Sequence, residues 1–376
     1  MPPRLRTVSE EEGERRATWL ELFFDLVFVV AITQLGSELV ADHSAGGFLR
    51  FAGLFVPVFV AWQGFSFYAD RFDTDDVVFR LVLFAGMLAI AALAVLISDV
   101  ARGVHSAGFV VAYATLRSLM LALYWRAWRA VPEARPLIRL YGLGYAVGVG
   151  IWLASLAFDT PWRYAVWVVA ATLELSLPPL STRIHRRVPT SASHVPERWA
   201  LFTLIVLGES IAAVAIETSG AHWRVDSAAS AGLGFAAVAA VWWLYFDRQA
   251  DVVLRGTSRS VVIYSYAHLP LLMGLAAISG GLRLLIERAG NDHLGIGPGV
   301  ALLGGVALFL ASLVVTRTVT VSGPHRLGMA LKLGTAAIAL ALIGAAAVLP
   351  AVVVAAALTA LLGSLVYAEH EFVLRR

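Results

Sequence analysis

Glu21 and Asp25 stand four residues apart at the start of the run LELFFDLVFVVAITQLG (20–36), so two carboxylates share one face of a helix that is otherwise almost wholly apolar. A carboxylate among Phe23, Phe24, Leu26, Val27 and Phe28 can hold a cation, carry a proton or neutralise a buried arginine. Glu21, in the first turn, can also serve as a helix cap favoured by the helix dipole. Three more ionisable residues lie deep in apolar runs: Arg117 in YATLRSLMLALYW, Glu209 in ERWALFTLIVLGESIAAVAIE and His268 in YSYAHLPLLMG. Each such charge costs about 2.5–3.5 kcal/mol at the centre of a membrane helix, so the economical expectation is that Arg117 and Glu209 pair. His268 is read either as a proton relay or as a core histidine bonded to a tyrosine such as Tyr264 or Tyr266.

The elements that must position these groups follow from composition. Of 376 residues 59% are hydrophobic and 15% charged, with a mean hydropathy of +0.77, far from the balance of soluble domains. Twelve apolar runs recur, most of them near the roughly 20 residues needed to cross a bilayer. Backbone groups at bilayer depth must be satisfied within the segment, and no alternating barrel pattern is present, so the expected fold is all-α, a polytopic membrane protein of about twelve spans. The tail mixes acids and arginines and no small-residue cleavage site follows, so the first helix is expected to be a permanent span. With the N-terminus inside, twenty-one arginines fall in cytoplasmic segments and six outside, which places both termini in the cytoplasm of a cell with this chain in its cytoplasmic membrane. The net charge of +3 reports that topology, and nucleic acid is not an expected partner. The chain has no cysteine, so disulfides and thiolate metal sites are excluded.

The chain divides into a cytoplasmic tail (1–18), a first six-helix half (19–180), a basic linker (181–197) after Pro178-Pro179, which should end the sixth helix, and a second half (198–376). Tyr68-Ala69-Asp70-Arg71 recurs as Tyr245-Phe246-Asp247-Arg248, and Glu21 recurs as Glu197 at nearly the same offset. Six helices per unit would insert both halves the same way up, a parallel repeat. Glu174 and Lys332 are expected at the interface, the lysine by snorkelling. Gly208, Gly274 and Gly280 suit close helix packing. No phosphate loop, HExxH zinc motif or GxSxG elbow occurs, so nothing assigns an enzyme activity, a metal or another cofactor.

The blocks ELFFDLVFV (21–29), HVPERWALFTLIVLGES (194–210) and YSYAHLP (264–270) resemble, in order, those of the bacterial low temperature requirement protein A family. The resemblance marks Glu21, Phe24, Asp25, His194, Glu197, Arg198, Gly208, Glu209 and His268 as motif positions. It implies a phenotype of growth in the cold and no settled chemistry. The first helix is also similar to the pore-lining first helix of endolysosomal-type potassium channels, which would put Asp25 beside a pore. Here Phe24 replaces that family's serine, and the seventh helix carries no matching aspartate.

The expected function is a transporter or channel for an ion or small solute, with Glu21, Asp25, Arg117, Glu209 and His268 as its intramembrane polar network. Its expected partners are the lipid bilayer and that solute, and self-association is compatible with the sequence. The alternative is a nontransporting protein that modifies or senses lipids through the cytoplasmic cluster Asp70, Arg71, Asp73, Asp75, Asp76, Asp247, Arg248 and Asp251.

Overall fold

A computed structural model describes residues 3–5, 17–182, 184, 194–220, 225–247, 252–323 and 325–374. Most of the linker and the calls on Arg248 and Asp251 lie outside these residues. Twelve helices among them are long and apolar enough to cross a membrane: α1 (Trp19–Ala41), α2 (Ala45–Arg71), α3 (Val77–Ala101), α4 (Ser106–Ala130), α5 (Arg135–Ala154), α6 (Trp162–Ser181), α7 (His194–Gly220), α8 (Val225–Phe246), α9 (Ser258–Glu287), α10 (Ile296–Arg317), α11 (Arg326–Ala346) and α12 (Ala351–Glu369). The chain is an all-α polytopic membrane protein, as its composition predicts. A two-residue antiparallel ladder, Arg4–Leu5 against Phe72–Asp73, is the one pair of strands described.

Helix α3 shows why these segments belong in a bilayer. Its inner face buries Phe79, Leu83, Met87, Ile90, Leu93 and Ile97, yet Leu81, Phe84, Leu88 and Val95 on the outer face are just as apolar and exposed. A helix that is hydrophobic all round has lipid for its solvent. Pro178 and Pro179 lie in the last turn of α6, which ends at Ser181.

The chain forms two compact units. One holds Met1–Leu35, Ala52–Arg198 and Gly256–Val262; the other holds Gly36–Phe51, Trp199–Arg255 and Ile263–Arg376. In the first unit α3 to α6 pack in chain order, and Phe24 of α1 lies 4.8 Å from Phe28 and 5.1 Å from Phe65, ring centre to ring centre. In the second, α9 meets α10 backbone to backbone at Gly274 and Gly305. A Cβ on Gly274 would come within 2.7 Å of the Gly305 carbonyl oxygen, and one on Gly305 within 2.8 Å of the Gly274 oxygen. Small residues at such a crossing bring membrane helices together where no hydrophobic force would. Gly280 serves the same end against Gly36, whereas Gly208 has nothing within 4 Å of a Cβ and is exposed. The expected packing role of Gly208 therefore has no counterpart among the described residues.

Candidate functional site

In the first unit α1 begins with a reciprocal cap. The Thr18 backbone N–H donates to Glu21 Oε2 at 2.8 Å, and the Glu21 N–H donates to Thr18 Oγ1 at 3.2 Å. This Thr-x-x-Glu box occupies Glu21 at the helix start. Glu197 of α7 accepts from the adjoining Ala17 N–H at 3.4 Å, and its other oxygen lies 3.3 Å from His194 Nδ1.

One turn beyond Glu21, Asp25 is fully buried. Its Oδ1 accepts from Trp62 Nε1 on α2 and from Arg198 Nη2 on α7, both at 2.8 Å. The Arg198 guanidinium lies 5.7 Å from the Trp62 ring centre and reaches Ser66 Oγ at 3.5 Å. Sequence reading counted Arg198 as a topology charge and motif residue; its partner is the acid whose burial demanded explanation. Four atoms here lack a hydrogen-bond partner among the described residues: Asp25 Oδ2, Arg198 Nε, Arg198 Nη1 and the neighbouring Gln63 Nε2. Gln63, Ser66 and Asp70 follow i, i+3, i+7 spacing, so a buried polar stripe runs along α2 to its C-terminal end.

The second network centres on Arg117, and it corrects two expectations. Arg117 Nη2 pairs with Glu174 Oε2 at 2.5 Å, both side chains being wholly buried. Tyr113 Oη, one turn from Arg117, accepts from its Nε at 3.0 Å and Nη2 at 2.7 Å and donates to Glu174 Oε2 at 2.6 Å. Trp152 Nε1 donates to Glu174 Oε1 at 3.2 Å. Glycine makes the room: a Cβ on Gly64 would meet Arg117 Nη1 at 3.1 Å, and one on Gly148 would meet Glu174 Oε1 at 3.0 Å. Arg117 therefore does not wait for Glu209, and Glu174 is not interfacial. Glu174 lies two turns inside the end of α6, on the face that meets Arg117.

In the second unit Glu209 accepts from Ser279 Oγ. Further along α9, Arg283 pairs with Glu217 at 3.0 Å and donates to Ser37 Oγ at 2.8 Å. His268 Nδ1 faces the Tyr264 carbonyl at 2.8 Å and Nε2 faces Tyr245 Oη at 2.9 Å. A carbonyl only accepts, so Nδ1 carries the proton and Nε2 accepts from Tyr245. The ring also stacks on Trp199 at 4.7 Å. The tyrosine hydroxyl that serves it thus comes from α8 and not from its own helix. Lys332, expected to snorkel, pairs with Glu369.

The repeated Tyr-x-Asp-Arg motif meets unlike surroundings. Tyr68 donates to the Leu123 carbonyl at 3.1 Å, Asp70 and Arg71 are buried, and Arg71 lies over Phe67 and Tyr141. Asp247 is exposed. The nearby acids are structural ties: Asp75 is held below the usual carboxylate range by the hydrogen bonds of Arg80. Asp76 caps α3 through the Phe79 N–H and is pushed down to about 2, chiefly by the hydrogen bonds of Arg126 on α4.

Trp62, Gln63, Tyr113, Trp152, Glu174 and Tyr245 were missed as site residues. Trp62-Gln63 and Glu174 each left a signal, as polar groups within apolar runs; the tyrosines and Trp152 left none that sets them apart from packing aromatics. Comparison with known proteins matches residues 16–367 to the family described as bacterial low temperature requirement A protein. An uncharacterized protein of Rhizobium meliloti (strain 1021) is 27% identical over 331 residues, which cover 81% of this chain and 77% of that one.

Proposed function

The chain belongs to the bacterial low temperature requirement A protein family, and from that premise and its buried charges we propose a transporter or channel for an ion or small solute. The observation that carries this reading is the incomplete pairing of Asp25 and Arg198. Buried polar groups in proteins are nearly always satisfied, and leaving one unsatisfied costs about 1–3 kcal/mol. A pair kept only for stability would be closed off by further donors and acceptors. Among the described residues Asp25 Oδ2, two nitrogens of Arg198 and Gln63 Nε2 have no partner, which leaves them for something else to bind. The stripe Gln63, Ser66, Asp70 supplies polar steps between this pair and the end of α2.

In this reading the protein sits in the cytoplasmic membrane with both termini inside, as the arginine distribution favours. Two six-helix halves of parallel orientation accord with the recurring motif. The Arg117–Glu174 network, in which both Glu174 oxygens are satisfied by Arg117, Tyr113 and Trp152 and Arg117 Nη1 is the one atom without a partner among the described residues, is the framework that holds α4, α5 and α6 while the Asp25–Arg198 pair exchanges partners.

The test is flux in proteoliposomes across a panel of monovalent ions and small metabolites, with and without a pH gradient. Solute uptake driven by the gradient marks a carrier, and ohmic current marks a channel. Asp25→Asn is expected to cut either by at least tenfold while the protein stays monodisperse. Folded protein that passes neither solute nor current under any of these conditions refutes the proposal.

A further inference from the structure

Two carboxylates and one guanidinium meet where α7 runs beside α9 in the second unit. Trp199, Glu209 and Glu217 of α7 meet Ser265, Ser279 and Arg283 of α9 in that order, so the two helices run side by side in the same direction. Ser279 stands level with Glu209, and Arg283 follows one turn further along, about 6 Å. Glu217 lies about 12 Å beyond Glu209, so the Arg283 backbone stands at a level between the two acids and its long side chain can turn to either. In this structure it turns to Glu217, at 3.0 Å, and to Ser37 Oγ of α1, at 2.8 Å. It acts electrostatically on Glu209 as well. We propose that Glu209 is a proton-binding site and that Arg283 is a counter-ion shared by two acids, paired with Glu217 while Glu209 is protonated and drawn to Glu209 when the proton leaves.

Charge balance calls for the proton. Two acids against one arginine leave one negative charge over, and Arg283 is the one cation ion-paired to either acid among the described residues. Glu209 lies about 16 Å from the Gly220 end of α7, a depth at which an unpaired charge is costly. Protonation removes that charge and keeps the one hydrogen-bond partner, because the Ser279 hydroxyl, which donates to a carboxylate, accepts from a carboxylic acid. A metal cation would need several more oxygens.

The remaining neighbours are neutral or engaged elsewhere. On α8, Gly234 lies against Leu282 and Val214. Asp226 holds the Ser227 N–H at 2.9 Å, and Arg288 donates to the Leu294 carbonyl at 2.9 Å and faces His43 at 3.4 Å. Glu38 and Glu287 are not ion-paired to Arg283. When the proton leaves, the electron pair of the broken O–H bond stays on Glu209 and Arg283 turns inward to it. Glu217, 26% exposed and about 5 Å from the helix end, is left to water.

The test is infrared difference spectroscopy on the purified full-length protein in detergent, stepped in pH across the range in which it stays monodisperse, following the carbonyl band of a protonated carboxyl. Neither gradient nor solute is present, so this result and the transport reading can fail separately. Glu209→Gln should delete one titrating band. Arg283→Gln removes the counter-ion and should move the midpoint of that band up by about one to three pH units. Arg283→Lys should move it less, with the same sign, and replaces Arg283→Gln if that variant does not fold. Glu217→Gln leaves Arg283 to Glu209 alone and should move the midpoint down by about one unit. In the Arg283→Gln background the same change should have only a small effect, since bare repulsion across about 12 Å is weak. The absence of a band that depends on Glu209, a midpoint that stays or falls without Arg283, or a Glu217→Gln shift undiminished in the Arg283→Gln background would each overturn the inference.

Discussion

Consider replacing Glu174 by leucine. Arg117 would keep the Tyr113 hydroxyl and lose Glu174, its one carboxylate among the described residues, where Nη1 already lacks a partner. Removing one member of a buried pair costs about 3–5 kcal/mol because the other charge stays behind uncompensated. Arg117→Met leaves Glu174 with Tyr113 and Trp152 as donors and should cost about as much. The two losses would sum to about 6–10 kcal/mol if they were independent. In the double variant no charge remains, and an apolar pair of similar volume fills the space between α4 and α6. What is left is the Trp152 N–H without its acceptor and the buried Tyr113 hydroxyl without Glu174 or Arg117, at about 1 kcal/mol each, roughly 2 kcal/mol together. Tyr113→Phe provides the scale for hydrogen bonding alone: three bonds go and no charge is stranded. At about 0.6 kcal/mol for an average bond between membrane helices, the loss should be about 1–2 kcal/mol. Equilibrium unfolding in detergent micelles, read by tryptophan fluorescence, would rank wild type highest, Tyr113→Phe and the double variant together below it, and the two singles lowest. A double variant as unstable as the sum of the singles would refute the account of Arg117 and Glu174 as one neutral unit.

Four other outcomes follow. Gly148→Ala, which drives a methyl group to 3.0 Å from Glu174 Oε1, should destabilise the fold, whereas Gly208→Ala, with open space at its Cβ, should stabilise it by about 0.5–1 kcal/mol through helix propensity; thermal midpoints separate the two. Thr18→Ala breaks the cap of α1 and should cost about 0.5–2 kcal/mol in unfolding experiments while transport by the folded fraction is kept. Asp76 has its carboxyl lowered from 3.8 to about 2, so its contribution to stability is complete above pH 3.8 and fades as the pH falls through 2; Asp76→Asn should flatten the acid limb of a stability profile between those values and not the neutral region. Trp62→Phe takes one donor from Asp25 and keeps the ring against Arg198, so it should shift the apparent KM for the transported solute more than Arg117-side substitutions such as Tyr113→Phe, in the proteoliposome assay.

Hydrophobic run length was enough to read twelve helices, because a segment in lipid satisfies its own backbone and needs little from its neighbours. Which charges meet was not legible. Arg117 and Glu209 looked like partners because both sit near mid-span, and depth along the helix is all that a sequence reports; azimuth and neighbour are set by how α4, α5 and α6 pack. Glu174 was read as interfacial from its place near the inner end of α6; its depth was legible, and the side chain's burial against Arg117 was not. Asp25 was recognisable by its apolar flanks, but Arg198 hid among the arginines that signal topology. His268 was legible as a histidine needing a tyrosine, and the donor proved to be Tyr245, a residue singled out for its repeat and not for its hydroxyl.

The span between Asp25 and Arg198 also sets a schedule for biogenesis. They are 173 residues apart in the chain, and a ribosome adding roughly 5–20 residues per second needs about 10–35 seconds to go from one to the other. During that interval the first helix resides in the membrane with a carboxylate in its second turn whose counter-charge has not been translated, at a cost below the roughly 2.5–3.5 kcal/mol of a charge at the helix centre. Five further spans emerge before the seventh delivers the guanidinium. The first unit is therefore sealed by the opening turn of α7, and a nascent chain released before that point leaves Asp25 for the insertion machinery or a membrane chaperone to shelter.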